Sequence, residues 1–394
     1  MVEEGAAAAA AAVDPEEVLA FARALIAAPS ENPGGTEDRA AEVASDILSS
    51  IGATPHTERS EAGRPSVLAT LGDGSRPHLA WNGHLDVVPA GARETWTHGP
   101  WDGDVADGVL FGRGSVDMKG AIAAALAAGA AIGRASVPLE GTLAYHLVAD
   151  EELAGLHGTR VLWERGLLDP DAAIVGEATE LQIGLAERGG AWVTLTSHGR
   201  AAHGSQPHLG INAITGMARY LLRLPEVLPD LRHPLVGAPT VNAAIVSGGS
   251  APNVVPDRCV VDVDRRILPG ERDPDAVLQP FRDLAARVAE EDPDIRIDVE
   301  LREWTDAAET SPDTELVRRA RAAVAAETGR EPAVVGFTGI TDARFYMNEV
   351  AVPTIILGPG SLSVAHTADE SIAVDALVAA ARVYARLFVG VLSA

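Results

Sequence analysis

The chain has 394 residues, 47% of them apolar, and its 31 basic and 56 acidic side chains give a formal net charge of -25. That length exceeds what one core usually serves, so two domains are expected, and the acidity excludes the basic face of a nucleic-acid binder. No apolar run approaches the roughly 20 residues that span a bilayer, and Cys259, the single cysteine, can form no intrachain disulfide, so the cytoplasm is the expected compartment, with no membrane partner.

In chain order, the alanine run 6–12 follows Glu3 and Glu4 rather than a basic segment. It therefore reads as a disordered tail or frayed helical extension, not a secretory signal. Asp14-Pro15-Glu16-Glu17 supplies an N-cap, a first-turn proline and early acids for a helix to about residue 27. Residues 29–35 read as a loop, and Thr36-Glu37-Asp38 opens a second helix to about residue 51. Strands at 66–71 and 78–82 precede a small-residue helix at 120–132, suited to tight packing on a sheet. A strand at 142–149, a helical stretch at 161–166 and a short strand at 172–175 continue the alternation of an α/β sheet flanked by helices.

Near Gly189 the texture changes. Strand 192–197, helix 212–224, strands 241–246 and 259–267, helix 274–290 and strand 295–301 form a split βαβ pattern. After about residue 305 the α/β texture returns, with a helix at 314–328, a buried strand at 353–358 and a closing helix at 375–392. The reading is a discontinuous catalytic domain, residues 1–188 and 305–394, interrupted by a small α+β domain at 189–304.

Chemistry-bearing residues sit where strands should end, the edge at which open α/β sheets bind ligands. His84 and Asp86 lie in Gly83-His84-Leu85-Asp86-Val87-Val88-Pro89, and Asp117 in Gly114-Ser115-Val116-Asp117-Met118-Lys119-Gly120. Glu151-Glu152, Glu177 in Gly176-Glu177-Ala178-Thr179, and His366 complete the set. Mixed imidazole and carboxylate donors suit zinc, with cobalt or manganese as competent substitutes. Two such ions must share a ligand, and Asp117, flanked by glycines, is the expected bridge. Glu152 would bind metal while Glu151 takes a proton from water. Asp86, two residues past His84, would fix the tautomer of that ring through its far nitrogen. Lys119, the one lysine of the chain, falls inside the densest motif and is expected to have a local role.

These motifs, from Ser30-Glu31-Asn32-Pro33 to His366, resemble the metallopeptidase family that includes acetylornithine deacetylase, succinyl-diaminopimelate desuccinylase, aminoacylase and glutamate carboxypeptidase. The resemblance implies a phosphorylase/hydrolase-like mixed sheet with an inserted ferredoxin-like lid that makes a homodimer. It implies one divalent metal on His84, Asp117 and Glu177, a second on Asp117, Glu152 and His366, and Glu151 as general acid/base. It also implies a cis peptide at Asp117-Met118. In Gly199-Arg200-Ala201-Ala202-His203-Gly204-Ser205, His203 would reach the partner's active site and donate to the oxyanion, whereas His198 and His208 read as structural. Asn253, Arg266, Thr341 and Arg344 match positions that hold substrate in relatives. Glu177, where aminopeptidases and dipeptidases of the family carry Asp, resembles the deacylase form.

The expected function is thus hydrolysis of the amide of a small N-acyl amino acid. The alternatives are a carboxypeptidase or dipeptidase using the same centre, and a non-catalytic metal- or ligand-binding protein on the same fold.

Overall fold

Apolar strands and amphipathic helices sort into two units. The first comprises Met1–Leu185, Glu309–Phe337 and Thr341–Ala394, and the second Ala186–Ala308 with Thr338–Ile340. The computed structural model describes residues 2–34 and 37–393. Gly35 and Thr36, at the expected junction of loop and second helix, lie outside the described residues.

The chain opens with α1 (Val2–Ala11), α2 (Pro15–Ile26), α3 (Asp38–Ser50), β1 (His56–Arg59), β2 (Pro65–Leu71) and β3 (His78–His84). Next come β4 (Val105–Ala106), β5 (Val109–Phe111), α4 (Lys119–Arg134), β6 (Thr142–Val148), α5 (Thr159–Glu164), β7 (Ala172–Val175) and β8 (Ile183–Glu187). The second unit contains β9 (Gly189–His198), α6 (Ala213–Leu221), β10 (Thr240–Gly248), β11 (Arg258–Ile267), α7 (Pro274–Glu291) and β12 (Arg296–Thr305). The chain then returns through β13 (Ala308–Glu309), α8 (Glu315–Thr328), β14 (Val334–Phe337), β15 (Thr354–Ile356), β16 (Ser371–Ala373) and α9 (Val374–Leu392).

The nine-stranded sheet runs β1-β2-β6-β3-β7-β15-β8-β13, with β14 on β8. Its centre is parallel: β3 pairs β6 and β7, and β15 pairs β7, all in the same direction. The flanking pairs of β1 with β2, β2 with β6 and β15 with β8 are antiparallel. The sheet is therefore mixed, as the family resemblance implies. Parallel strands are buried on both faces: β7 is wholly apolar, and β3 is buried from Leu79 to His84 although it carries Asn82 and His84. Four parallel neighbours also end on one edge, and the ligand-bearing loops leave from there.

Helix α4 is buried from Lys119 to Ile132 and packs against α2, α9 and β3. Its small side chains permit this. A Cβ on Gly129 would stand 2.4 Å from the Tyr145 hydroxyl, which donates to Ala125 O at 3.0 Å. The amino-terminal alanines correct the expectation of a loose tail. Val2–Ala11 is a helix that buries Ala6, Ala9 and Ala10 and packs against α9. The i, i+3, i+4 spacing of those small residues makes a flat face for close helix contact.

The second unit is an antiparallel sheet in the order β10-β11-β9-β12. With α6 and α7 it forms the ferredoxin-like arrangement. Strand β11 alternates buried and partly buried residues along its length. Its inward residues Cys259, Val261 and Val263 share a core with Val193, Leu195, Met217, Tyr220 and Phe281. Asn212 caps α6 by accepting from Thr215 N, and Asp273 caps α7 ahead of Pro274.

Candidate metal centre and active site

The parallel centre of the sheet delivers the donors. His84 is the last residue of β3, Glu151 and Glu152 form a one-turn 3-10 helix shortly after β6, and Glu177 comes two residues after β7. His366 stands on the loop between β15 and β16 with a left-handed φ of 61°. Asp117 precedes α4, and Asp117-Met118 is a cis peptide.

The six side chains converge. His84 Nε2 lies 2.9 Å from Asp117 Oδ1, 3.5 Å from Glu177 Oε1 and 4.0 Å from Glu151 Oε2. His366 Nε2 lies 3.1 Å from Asp117 Oδ2 and 3.2 Å from Glu152 Oε2. Asp117 thus offers one oxygen to each imidazole. Among the described residues, two triads have ligand atoms within 4.8 Å of one another, His84 with Glu151 and Glu177, and His84 with Asp117 and Glu152. All are buried or nearly so except His366, whose side chain is 51% exposed.

Crowded carboxylates leave their mark on the proton equilibria. Burial, with the charges of Glu177, Asp342 and Glu152, pushes Glu151 well above the ordinary carboxylate range against the opposing pull of His84. Burial and the charge of Asp117 push Glu177 up to about 7, and burial raises Glu152. Hydrogen bonds to Asp117 and Glu152 lift His366 to about 10. Burial would depress His84, but Asp117 and Glu177 against its ring hold it well above the histidine range. A pocket with this surplus of negative charge favours bound cations, and its mixed nitrogen and oxygen donors fit divalent zinc-like ions.

Asp86 departs from expectation. His84 Nδ1 donates to the backbone carbonyl of Asp86 at 2.8 Å, while the Asp86 carboxylate stays 3.6 Å away. A carbonyl oxygen only accepts, so Nδ1 carries the proton and Nε2 presents its lone pair to the cluster. The carboxylate turns instead to three N–H donors: Glu151 N at 3.1 Å, Glu152 N at 3.2 Å and Asn32 Nδ2 at 2.8 Å.

The remaining candidates fall in two places. In the first unit, Thr341 is buried and its hydroxyl accepts from Ala343 N at 3.0 Å. Arg344 is also buried, donating to Thr341 O at 2.6 Å and to Ala154 O, on the Glu151 loop, at 2.5 Å. In the second unit, Arg266 Nε pairs with Asp264 at 2.9 Å. Exposed His203 and Asn253 are neighbours, because Gly204 N donates to Asn253 O at 2.7 Å. His203 Nδ1 accepts from Ser205 N at 3.2 Å, so in the neutral ring Nε2 carries the proton and is a ready donor. His198 pairs with Asp298 at the surface, 2.7 Å away.

Sequence reasoning passed over several supports. Glu370, fully buried, accepts from Val116 N and Asp117 N at 2.8 and 3.1 Å and pairs with Arg113 at 2.5 Å, fixing the loop that carries Asp117. Its position four residues after His366 was the available signal. Lys119 does act locally, but by holding the chain: its buried Nζ donates to Ala28 O at 2.7 Å. Burial pulls that amine down to about 7, against the charges of Asp86, Glu370 and Glu37.

Residues 80–389 match the family described as Peptidase family M20/M25/M40. The chain belongs to that family and is a metal-dependent hydrolase of amide bonds. It is 34% identical over 385 residues to a succinyl-diaminopimelate desuccinylase of Methylorubrum extorquens, covering 94% of this chain and 97% of that one. A protein of the same description from Rhodospirillum centenum is 31% identical over 383 residues, 93% of this chain and 95% of its own. Among solved structures, the aminopeptidase PepT of Bacillus cereus superposes with a TM-score of 0.80 over 96% of this chain and 99% of its own. At 22% identity that likeness speaks to the fold alone.

Proposed function

We propose that this enzyme removes the acyl group from a small N-acyl amino acid, with Glu151 as the group that moves the proton. One observation carries the reading: a buried carboxylate pushed toward its protonated range stands beside five further donors, two of them imidazoles bridged by Asp117. His84, Asp117 and Glu177 would hold one divalent ion, and Asp117, Glu152 and His366 the other, zinc by preference. When bound, the ions supply Lewis acidity for the carbonyl and lower the pKa of water. Glu151 removes a proton from the attacking water and returns it to the leaving amine. The names of the curated relatives support an N-acylated, carboxylate-bearing substrate. Arg266 and Asn253 of the second unit, and Thr341 and Arg344 of the first, are the groups suited to hold its carboxylate.

The second unit is read as a lid that pairs two copies. Strand β10 is an edge strand, and it exposes Ile245 at 63% and Val246 at 69%. Long exposed apolar edges invite strand pairing. In such a homodimer the partner subunit's His203 donates Nε2–H to the oxyanion. The single cysteine supports a cytoplasmic setting.

The test is Glu151→Gln, assayed on N-acetyl and N-succinyl amino acids alongside dipeptides. Turnover is expected to fall by about 10²–10⁴-fold with metal content unchanged. Wild-type turnover in the variant, or loss of a metal ion, would refute the assignment of Glu151 as base.

A further inference from the structure

The turn that carries Glu151 and Glu152 has an unfavourable backbone. Asp150 before it has φ 67° and ψ 17°, and Ala154 after it has φ 73° and ψ 19°. Two non-glycine residues in the left-handed region persist only where their surroundings over-determine them.

The surroundings here are a buried polar web reaching from distant parts of the chain. Asp150 Oδ1 accepts from Arg64 Nη1 at 3.0 Å and from Asn32 Nδ2 at 3.1 Å, and Asp150 Oδ2 accepts from His157 N at 3.0 Å. Asn32 Nδ2 also donates to Asp86 Oδ2 at 2.8 Å, and its Oδ1 accepts from Arg64 Nη1 at 3.3 Å. Asp86 in turn caps the amides of Glu151 and Glu152. Arg64 is anchored from behind by Glu37, through Nε at 2.9 Å and through Nη2. Asn32, Glu37, Arg64, Asp86 and Asp150 are all buried.

A bridging pair of this kind does two things. The planar guanidinium fork sets the distance between Glu37 and Asp150. The amide of Asn32 links the carboxylate before the turn to the carboxylate that caps it. Neither residue reaches the six converging donors, so neither touches reacting atoms. We propose that Arg64 and Asn32 are positioning residues for the reaction, fixing Glu151 through Asp150 and Asp86. The proposal rests on the reading of Glu151 as the proton-moving group.

The experiment is a double-mutant cycle on the metal-loaded full chain, with Asn32→Ala and Glu151→Gln singly and together. Asn32→Ala is expected to lower kcat by about 10–100-fold, the scale of a misplaced catalytic group, with KM within about twofold and metal content unchanged. In the Glu151→Gln background, Asn32→Ala should change the residual kcat by less than about twofold, because the residue it positions is already disabled. Full additivity, lost metal or unchanged kcat in Asn32→Ala would each overturn the proposal. Wild-type turnover in Glu151→Gln alone would instead sink the underlying reading, whatever Asn32→Ala does. Arg64→Met follows the same logic, and Arg64→Lys, which keeps the charge without the fork, should fall between it and wild type in kcat. Breaking a buried ion pair endangers folding, so the neutral Asn32 variant carries the decision if Arg64→Met does not fold.

Discussion

The two units differ in how much charge they bury. In the second, ion pairs such as Arg302–Asp262 and Arg219–Asp292 stand at the surface, and the core between sheet and helices is apolar. In the first, Glu37, Arg64, Asp86, Asp117, Asp150, Glu177 and Glu370 are buried together near the ends of parallel strands. Burying charge is costly unless each group is paired or binds a cation. Buried carboxylates gathered at the ends of parallel strands suit that edge to binding cations. In the second unit most ion pairs stay at the surface, and the pair of Arg265 with Glu271 is a buried exception.

If the second unit contributes to the transition state through His203, then His203→Ala should lose about 10²–10³-fold in kcat while metal content and thermal midpoint stay at wild-type values. A variant with wild-type kcat would confine all the chemistry to the first unit. If β10 is an assembly edge, Ile245→Lys with Val246→Glu should convert a dimer to a monomer in light scattering with little change in thermal midpoint. A wild type already monomeric at micromolar concentration, or a dimer that survives the double substitution, contradicts that role.

The smallest effect concerns a buried group away from the donors. His146 Nδ1 meets the Tyr346 hydroxyl at 2.7 Å, and burial pulls the ring down from 6.5 to about 4. The folded state therefore binds this proton more weakly than the unfolded chain. The stability that comes from keeping the ring neutral is full above 6.5 and is lost as pH falls from there toward 4, by up to about 1.4 kcal/mol per pH unit. His146→Gln should flatten the fall of the urea midpoint across that window. An unchanged slope would assign the acid sensitivity to other groups.

The donors were legible in the sequence because each follows an apolar strand or a glycine-rich turn, so strand order alone brings them to one edge. Helices with real caps, such as those at Asp14, Asp273 and Thr314, were legible from their first turns. What escaped notice lacked a local signal. Strand β1, His-Thr-Glu-Arg, is almost wholly exposed and has no alternation. The three-stranded sheet of β4, β5 and β16 joins residues far apart in the chain. A π-helical turn at Phe345–Glu349 follows from hydrogen-bond register, which composition does not encode. Arg64 finds its partners 27 to 86 positions away, and nothing beside it in the sequence marks it. With Asp86 the position was readable but the geometry was not: its backbone oxygen, rather than its side chain, holds the His84 ring.

In the proposed centre Asp117 would join two cation sites. The most direct test of that bridge is inductively coupled plasma mass spectrometry on zinc-loaded, dialysed wild type and Asp117→Ala. Two ions per wild-type chain and none retained by the variant are expected, with the fold intact by circular dichroism. One ion or none in the wild type, or two in the variant, would contradict it.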